Sequence, residues 1–282
     1  MSHVLSAELL KLRKRPAIWV IVGVWLAMNL IFAYLIPYLI YRSGSFTGPD
    51  GAAAPGSLLA GMLPANLVTN VLGGYPLFGG ALVLILGGLM SGGEYGFGTL
   101  KTLLTQRPQR IEVLGGALAA LAVVVLALSV ASFAVSAVAS GVIAAAESAP
   151  GAFPPAAELA RGLAAGWLIL GMWGLLGALA GIAFRSTALA VGLSLVWALV
   201  IESLIQGFAP ALDVFDTVQR ALPGVNAGSL VAALATVQGD VTIETPGVTA
   251  AVGGTQAVVV LACYVVGAVL VAGLLLARRD VT

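Results

Sequence analysis

The chain has 282 residues and little of what catalysis in water uses. It has one cysteine, Cys263, and one histidine, His3. A single cysteine excludes a disulfide within the chain and a thiolate metal cage. A single histidine excludes multi-histidine metal sites, and no Ser-His-Asp or Cys-His arrangement can be assembled from this chain alone. Charge is scarce too. Asp, Glu, Lys and Arg make up 9% of residues, against about 25% in soluble domains. Hydrophobic residues reach 60% and the mean hydropathy is +1.06. Such a chain cannot cover a water-facing surface, which excludes a soluble globular enzyme, and it is too apolar to be disordered. A net charge of +1 carries no nucleic-acid signature. What remains is an all-α polytopic membrane protein.

Long runs without charge carry the architecture. They cover 16–41, 51–93, 113–146, 162–184, 186–212 (broken only by Glu202) and 245–277. A helix needs about 20 apolar residues to cross about 30 Å of hydrocarbon. All six runs qualify. Trimming the Gly/Pro-rich parts places six spans near 17–40, 71–90, 113–145, 163–184, 187–209 and 257–277 of a single transmembrane domain. The third run is long enough to tilt, to project beyond the bilayer or to break near Ser140-Gly141. The first run exceeds 20 residues and no A-x-A site follows it, so a retained helix is expected there rather than a cleaved signal peptide.

Basic residues set the orientation. With the N-terminus inside, Lys11, Arg13, Lys14, Arg15, Lys101, Arg107, Arg110, Arg185, Arg278 and Arg279 lie on the inner side, and only Arg42, Arg161 and Arg220 lie outside. Both termini are then cytoplasmic, in a cell membrane. Residues 42–70 read as an outer loop with a short helix near Ser57–Leu63. Within 210–256, Pro223-Gly224 precedes the apolar stretch Val225 to Val237. Thirteen residues are too few to cross, and suit a re-entrant or interfacial segment.

Two inner segments carry more detail. Ser2 to Arg15 has Leu5, Leu9 and Leu12 on one helical stripe, with Glu8, Lys11 and Arg15 away from it. This reads as an amphipathic helix at the inner membrane surface, with Lys11, Arg13, Lys14 and Arg15 as its basic set. An orientation anchor is the plainer reading of the same residues. In the second segment, Ser91-Gly-Gly-Glu94 has capping-box spacing, and Thr99 is a good N-cap for a short helix with Leu100, Leu103 and Leu104 on one face. Arg107-Pro108 ends that helix before the third span. A short hinged amphipathic helix between two spans suits a docking protein partner.

The order of these features resembles the membrane subunit of type-2 ATP-binding-cassette (ABC) exporters. The motif is Glu94-x-x-x-Gly98-Thr99-Leu100-Lys101-x-Leu103-Leu104, with a basic residue at Arg110. The likeness covers nearly the whole chain in topology, and residues 91–114 at motif level. It implies that the 91–112 loop forms a coupling helix seated in a groove of an ATPase subunit. Glu94, Gly98, Thr99, Leu100, Lys101, Leu103, Arg107 and Arg110 would then form the ATPase-coupling interface. The likeness also implies a re-entrant hairpin before the last span, two ATPase subunits that bind ATP and Mg, and a second permease copy, identical or related. Membrane lipids and a small-molecule or lipid substrate complete the expected partners.

This chain has no phosphate-cradling loop. That motif needs Lys directly after Gly, and Lys11, Lys14 and Lys101 follow Leu10, Arg13 and Leu100. No cofactor is expected in the chain itself, and ATP hydrolysis, if used, belongs to another polypeptide. Glu202 is the one ionisable group well inside a span. It reads either as a polar point in a substrate path or protonatable carboxyl, or as a hydrogen-bonded Glu facing the bundle, with Ser203 or Gln206 of a neighbouring chain as partner. Gly162/Gly166 and Gly177/Gly181 have small-x-x-x-small spacing, which suits packing inside one subunit. The five tryptophans are expected mostly at lipid or interface positions.

Three functions are compatible with these residues. The first is an exporter permease for a hydrophobic or amphipathic substrate. The second is an ABC-type subunit that transmits force to an outer partner without moving solute. The third is a proton-coupled transporter using Glu202. A membrane-embedded enzyme lacks a nucleophile–base pair.

Overall fold

The structure is a computed structural model that describes residues 2–44, 55–96, 110–235 and 245–278. Among these residues the chain is helical, with no strand. Six helices are long and apolar enough to cross a bilayer: Pro16–Ser43, Pro64–Glu94, Ile111–Ala146, Ala156–Phe184, Thr187–Phe208 and Gly254–Arg278. They are called the first to sixth spans below.

Local chemistry explains several boundaries. Arg15 precedes Pro16 and takes the extended backbone that a following proline imposes, so the N-terminal helix Ser2–Lys14 stops and the first span starts at its proline. Arg185 adopts a left-handed conformation at φ 51° and ends the fourth span. The hydroxyl of Ser186 then accepts from the Leu189 amide at 3.4 Å and caps the fifth. Two residues therefore suffice to reverse the chain between those spans.

The second span begins at Pro64, within the apolar run 51–93 and ahead of its trimmed part 71–90. A 3₁₀ turn at Pro64–Asn66 leads into Leu67–Gly73, and Gly74 joins this piece to a π-helical turn at Tyr75–Gly79. π-helical segments also occur at Ile31–Leu35 in the first span and Val196–Ile201 in the fifth. The third span keeps one course. Its helix runs unbroken from Arg110 to Ala146, 37 residues, or about 55 Å at 1.5 Å per residue.

The second and fourth spans form the centre and are the most buried. They approach so closely that side chains are excluded. A Cβ on Gly87 would strike the Gly174 carbonyl, and one on Gly177 would strike the Leu84 carbonyl. Gly162 faces Val68 and Phe133, Gly166 faces Tyr75 and Leu72, and Gly181 faces Ser91 and Gly92. The glycines of the fourth span thus pack inside one subunit. The fifth and sixth spans lie at the periphery, with exposed Val259, Val266, Leu270 and Leu274 on the sixth. The apolar helix Pro223–Leu234 is buried between the sixth span and the start of the second.

Two tryptophans depart from the lipid-facing expectation. Trp25 and Trp173 are buried, while Trp19, Trp167 and Trp197 are exposed. Trp25 fits against the flat sides of Gly74 and Gly79, and Trp173 against Gly80. The glycine-rich second span leaves room for indoles, so these two fill the core.

Candidate functional site

The N-terminal helix packs against the third span and brings its charges to the end of the second. Lys11 Nζ lies 2.7 Å from Glu8 Oε1 and 3.1 Å from Glu94 Oε1. Arg15 Nη2 reaches the same Glu94 oxygen at 3.1 Å, and Arg15 Nη1 donates to the Leu89 carbonyl at 3.4 Å. Two cations of the helix thus meet one carboxylate, Glu94, in the last turn before residues 97–109, while Glu8 pairs with Lys11 inside the helix. Lys11 and Arg15 are about a third exposed, so each pair contributes at most about 1 kcal/mol. Their main effect is to fix where the helix sits.

Glu8, Lys11 and Arg15 lie off the leucine stripe and turn toward the second span. Glu8 is buried with Leu12, and Lys11 and Arg15 are half-buried, while Leu10, Arg13 and Lys14 face outward. Glu94 supplies the charge that draws them inward. A small apolar cavity lies behind the cluster, bounded by Leu12, Met90, Leu121 and Ile182.

Of the residues expected at the coupling interface, Glu94 is joined to Lys11 and Arg15. Arg13 and Lys14 stand on the opposite face. Arg110 opens the third helix. Gly98, Thr99, Leu100, Lys101, Leu103 and Arg107 lie outside the described residues, as does the Thr99 cap. Ser91 is not an N-cap. It sits within the helix that runs on to Gly96, and its hydroxyl donates to the carbonyls of Gly87 and Ala178 at 3.1 and 2.8 Å. Two glycines do not stop this helix because the fourth span is pressed against it.

Glu202 lies inside the fifth span, directly after the π-helical turn. Its residue exposure is 1%. Oε2 accepts from the backbone N–H of Gly224 at 2.9 Å, in the first turn of Pro223–Leu234. The free amides and positive end of a helix N-terminus suit a carboxylate. The partner is therefore a backbone amide of the same chain. The Ser203 hydroxyl donates to the Leu199 carbonyl rather than to Glu202. A Cβ on residue 224 would meet the carboxyl, which would have to shift to admit it. Beside Glu202 is a cavity of about 260 Å3 whose wall includes Trp173, Ala198, Ser203, Gln206 and Gly247.

A polar seam in the third span carried no weight in the sequence reading. Ser129, Ser132, Ser136 and Ser140 are all buried. Trp25 Nε1 donates to Ser132 Oγ at 2.9 Å, and Ser136 Oγ donates to Asn29 Oδ1 at 2.8 Å. The signal was present, because the serines recur at three- and four-residue spacing.

At the far end from the ion cluster, Glu147 gathers three donors. Tyr38 Oη lies 2.8 Å away, Tyr41 Oη 3.3 Å and Arg42 Nη1 3.4 Å. These tie the end of the first span to the end of the third. The Tyr38 hydrogen bond, aided by Tyr41 and Arg42, holds the Glu147 carboxyl below its ordinary value.

A family model described as "ABC-2 family transporter protein" matches residues 4–201. No curated protein matches the chain. The matched segment begins in the N-terminal helix, contains the whole ion cluster and ends one residue before Glu202.

Proposed function

The chain belongs to the ABC-2 transporter family, and we propose that it is the permease subunit of an ATP-driven exporter. Members of this family are multi-pass membrane transport components and are not themselves the ATPase; an ABC ATPase is their general partner. In this reading two ATPase subunits bind ATP and Mg and dock beneath residues 91–112. Two permease copies form the path for a hydrophobic or amphipathic substrate. Both termini face the cytoplasm of a cell-membrane protein, consistent with the basic asymmetry of the sequence. In the segment 210–256 the buried helix Pro223–Leu234 supports the expected outer re-entrant region, and residues 236–244 lie outside the described residues.

The observation that carries the reading is the cluster of Glu94 with Lys11 and Arg15. Glu94 opens the segment whose sequence resembles a coupling helix. A push on that segment would therefore reach the second span and the N-terminal helix together. The second span is in turn locked to the fourth through glycine contacts. Rigid packing of this kind converts a local push into a shift of whole helices.

Deletion of Thr99–Gln106 tests the reading. The expected result is loss of ATPase association, with membrane insertion intact. Co-purification of the ATPase with the deleted chain would overturn it.

A further inference from the structure

The hydrogen bond from Gly224 accounts for one oxygen of Glu202. Oε1 is also buried, and among the described residues it has no hydrogen-bond partner. It borders the cavity of about 260 Å3. Among the described residues, no Lys, Arg or His lines that cavity. An isolated carboxylate oxygen in an apolar bundle is costly unless a positive donor meets it. The carboxyl is held in place by the helix N-terminus on one side, and a cation on its other side would keep it ionised.

The rest of the wall limits what that occupant is. Pro76, Leu77, Ala81, Ala198 and Leu199 are apolar. A bare metal cation takes several oxygen ligands, as calcium and magnesium do, and this wall is mostly hydrocarbon. A neutral alcohol would not hold the carboxyl in its charged form. Trp173 is of the residue type that attracts organic cations most strongly. One charged acceptor, an indole and an aliphatic surface together suit a cation with an apolar body.

We propose that the cavity beside Glu202 binds an organic ammonium ion, whose N–H donates to Glu202 Oε1. The ligand carries at least one N–H and a short aliphatic or aromatic body that fits against Ala198 and Leu199. Gln206 at the rim supplies a further polar contact. As a substrate site, this rests on the permease reading. As a binding site it does not, because binding requires neither ATP nor the ATPase.

The test is equilibrium binding of radiolabelled n-butylammonium to the full chain in lipid nanodiscs, without nucleotide, with empty nanodiscs subtracted. Saturable binding is expected, displaced by unlabelled n-butylammonium and not by 1-butanol at the same concentration. Glu202→Gln should weaken binding about tenfold or more, as loss of one partner of a buried charge pair does. Ala198→Leu fills the cavity and leaves the Glu202–Gly224 hydrogen bond in place. It should weaken binding equally, and it carries the test if the glutamine variant fails to fold. Absence of saturable binding, equal displacement by 1-butanol, or undiminished binding in Ala198→Leu would each overturn the proposal. Co-purification of the ATPase with the chain lacking Thr99–Gln106, with butylammonium binding retained, would refute the exporter reading and leave this site standing.

Discussion

Lys11 and Glu94 meet at 3.1 Å although 83 positions separate them in the chain. One belongs to the surface helix before the first span and the other to the last turn of the second. Arg15 shares the same carboxylate oxygen. Glu94→Gln removes the charge that both cations use. Because the pairs are partly exposed, melting should shift little, by about 1 kcal/mol or less per pair. Coupling should suffer more. Substrate-stimulated ATPase activity of the purified complex should fall about fivefold, the low end of ordinary coupling energies. Unchanged stimulation would show that the cluster only positions the helix.

Gly177→Ala should destabilise the fold by about 1–3 kcal/mol, the usual range for overpacking. The new methyl group meets the Leu84 carbonyl, which is backbone and cannot rotate away. Gly171→Ala is the matched control, since nothing lies within 4 Å of its Cβ position. Thermal unfolding of the two variants should separate them clearly. Equal melting would mean that the second and fourth spans stand further apart than described.

The Asn29–Ser136 hydrogen bond joins the first and third spans inside the bundle. A double-mutant cycle with Asn29→Ala and Ser136→Ala should give a coupling energy of about 0.6 kcal/mol, typical of hydrogen bonds between membrane helices. A cycle that sums to zero would mean that the two side chains do not pair.

Glu147 sets an acid limit on the far end of the molecule. Its folded-state carboxyl titrates below its ordinary value of 4.5. A depressed carboxyl contributes stability that is fully present above the unfolded value and is lost as pH falls through the folded one. The melting difference between the parent protein and Glu147→Gln should therefore be constant from about pH 6 to 8 and shrink below about pH 4.5. A difference independent of pH across this range would sink the assignment.

The six crossings were legible because each needs only a long uncharged run, and composition shows that directly. So was the role of the fourth-span glycines, whose four-residue spacing puts them on one face. What the sequence hid depends on partners distant in the chain. Glu8, Lys11 and Arg15 lie off the leucine stripe, and nothing nearby says that Glu94 will turn them inward. Glu202 finds a backbone N–H donor 22 positions later, and no side-chain pattern announces a backbone donor. The early start of the second span was missed because Pro64, Gly73 and Gly74 read as loop residues. In the fold, a short turn, a bend and a wide helical turn keep the chain in one course through them. Ser91-Gly-Gly-Glu94 has capping-box spacing, and its two glycines are weak helix formers. There the close fourth span overrides propensity.

The wide helical turns of the first, second and fifth spans lie near or beyond mid-length, counted from the end that holds Glu94. A π turn takes up more residues than an α turn. Each of these three columns is therefore a shaft with a change of thread partway along it. Residue faces above the change are out of phase with those below. Glu202 stands directly after one such change. If a residue entered or left a wide turn, the outer half of that column would rotate about its own axis while the inner half kept its seat. A thrust at one end of the bundle would then arrive at the other as a twist.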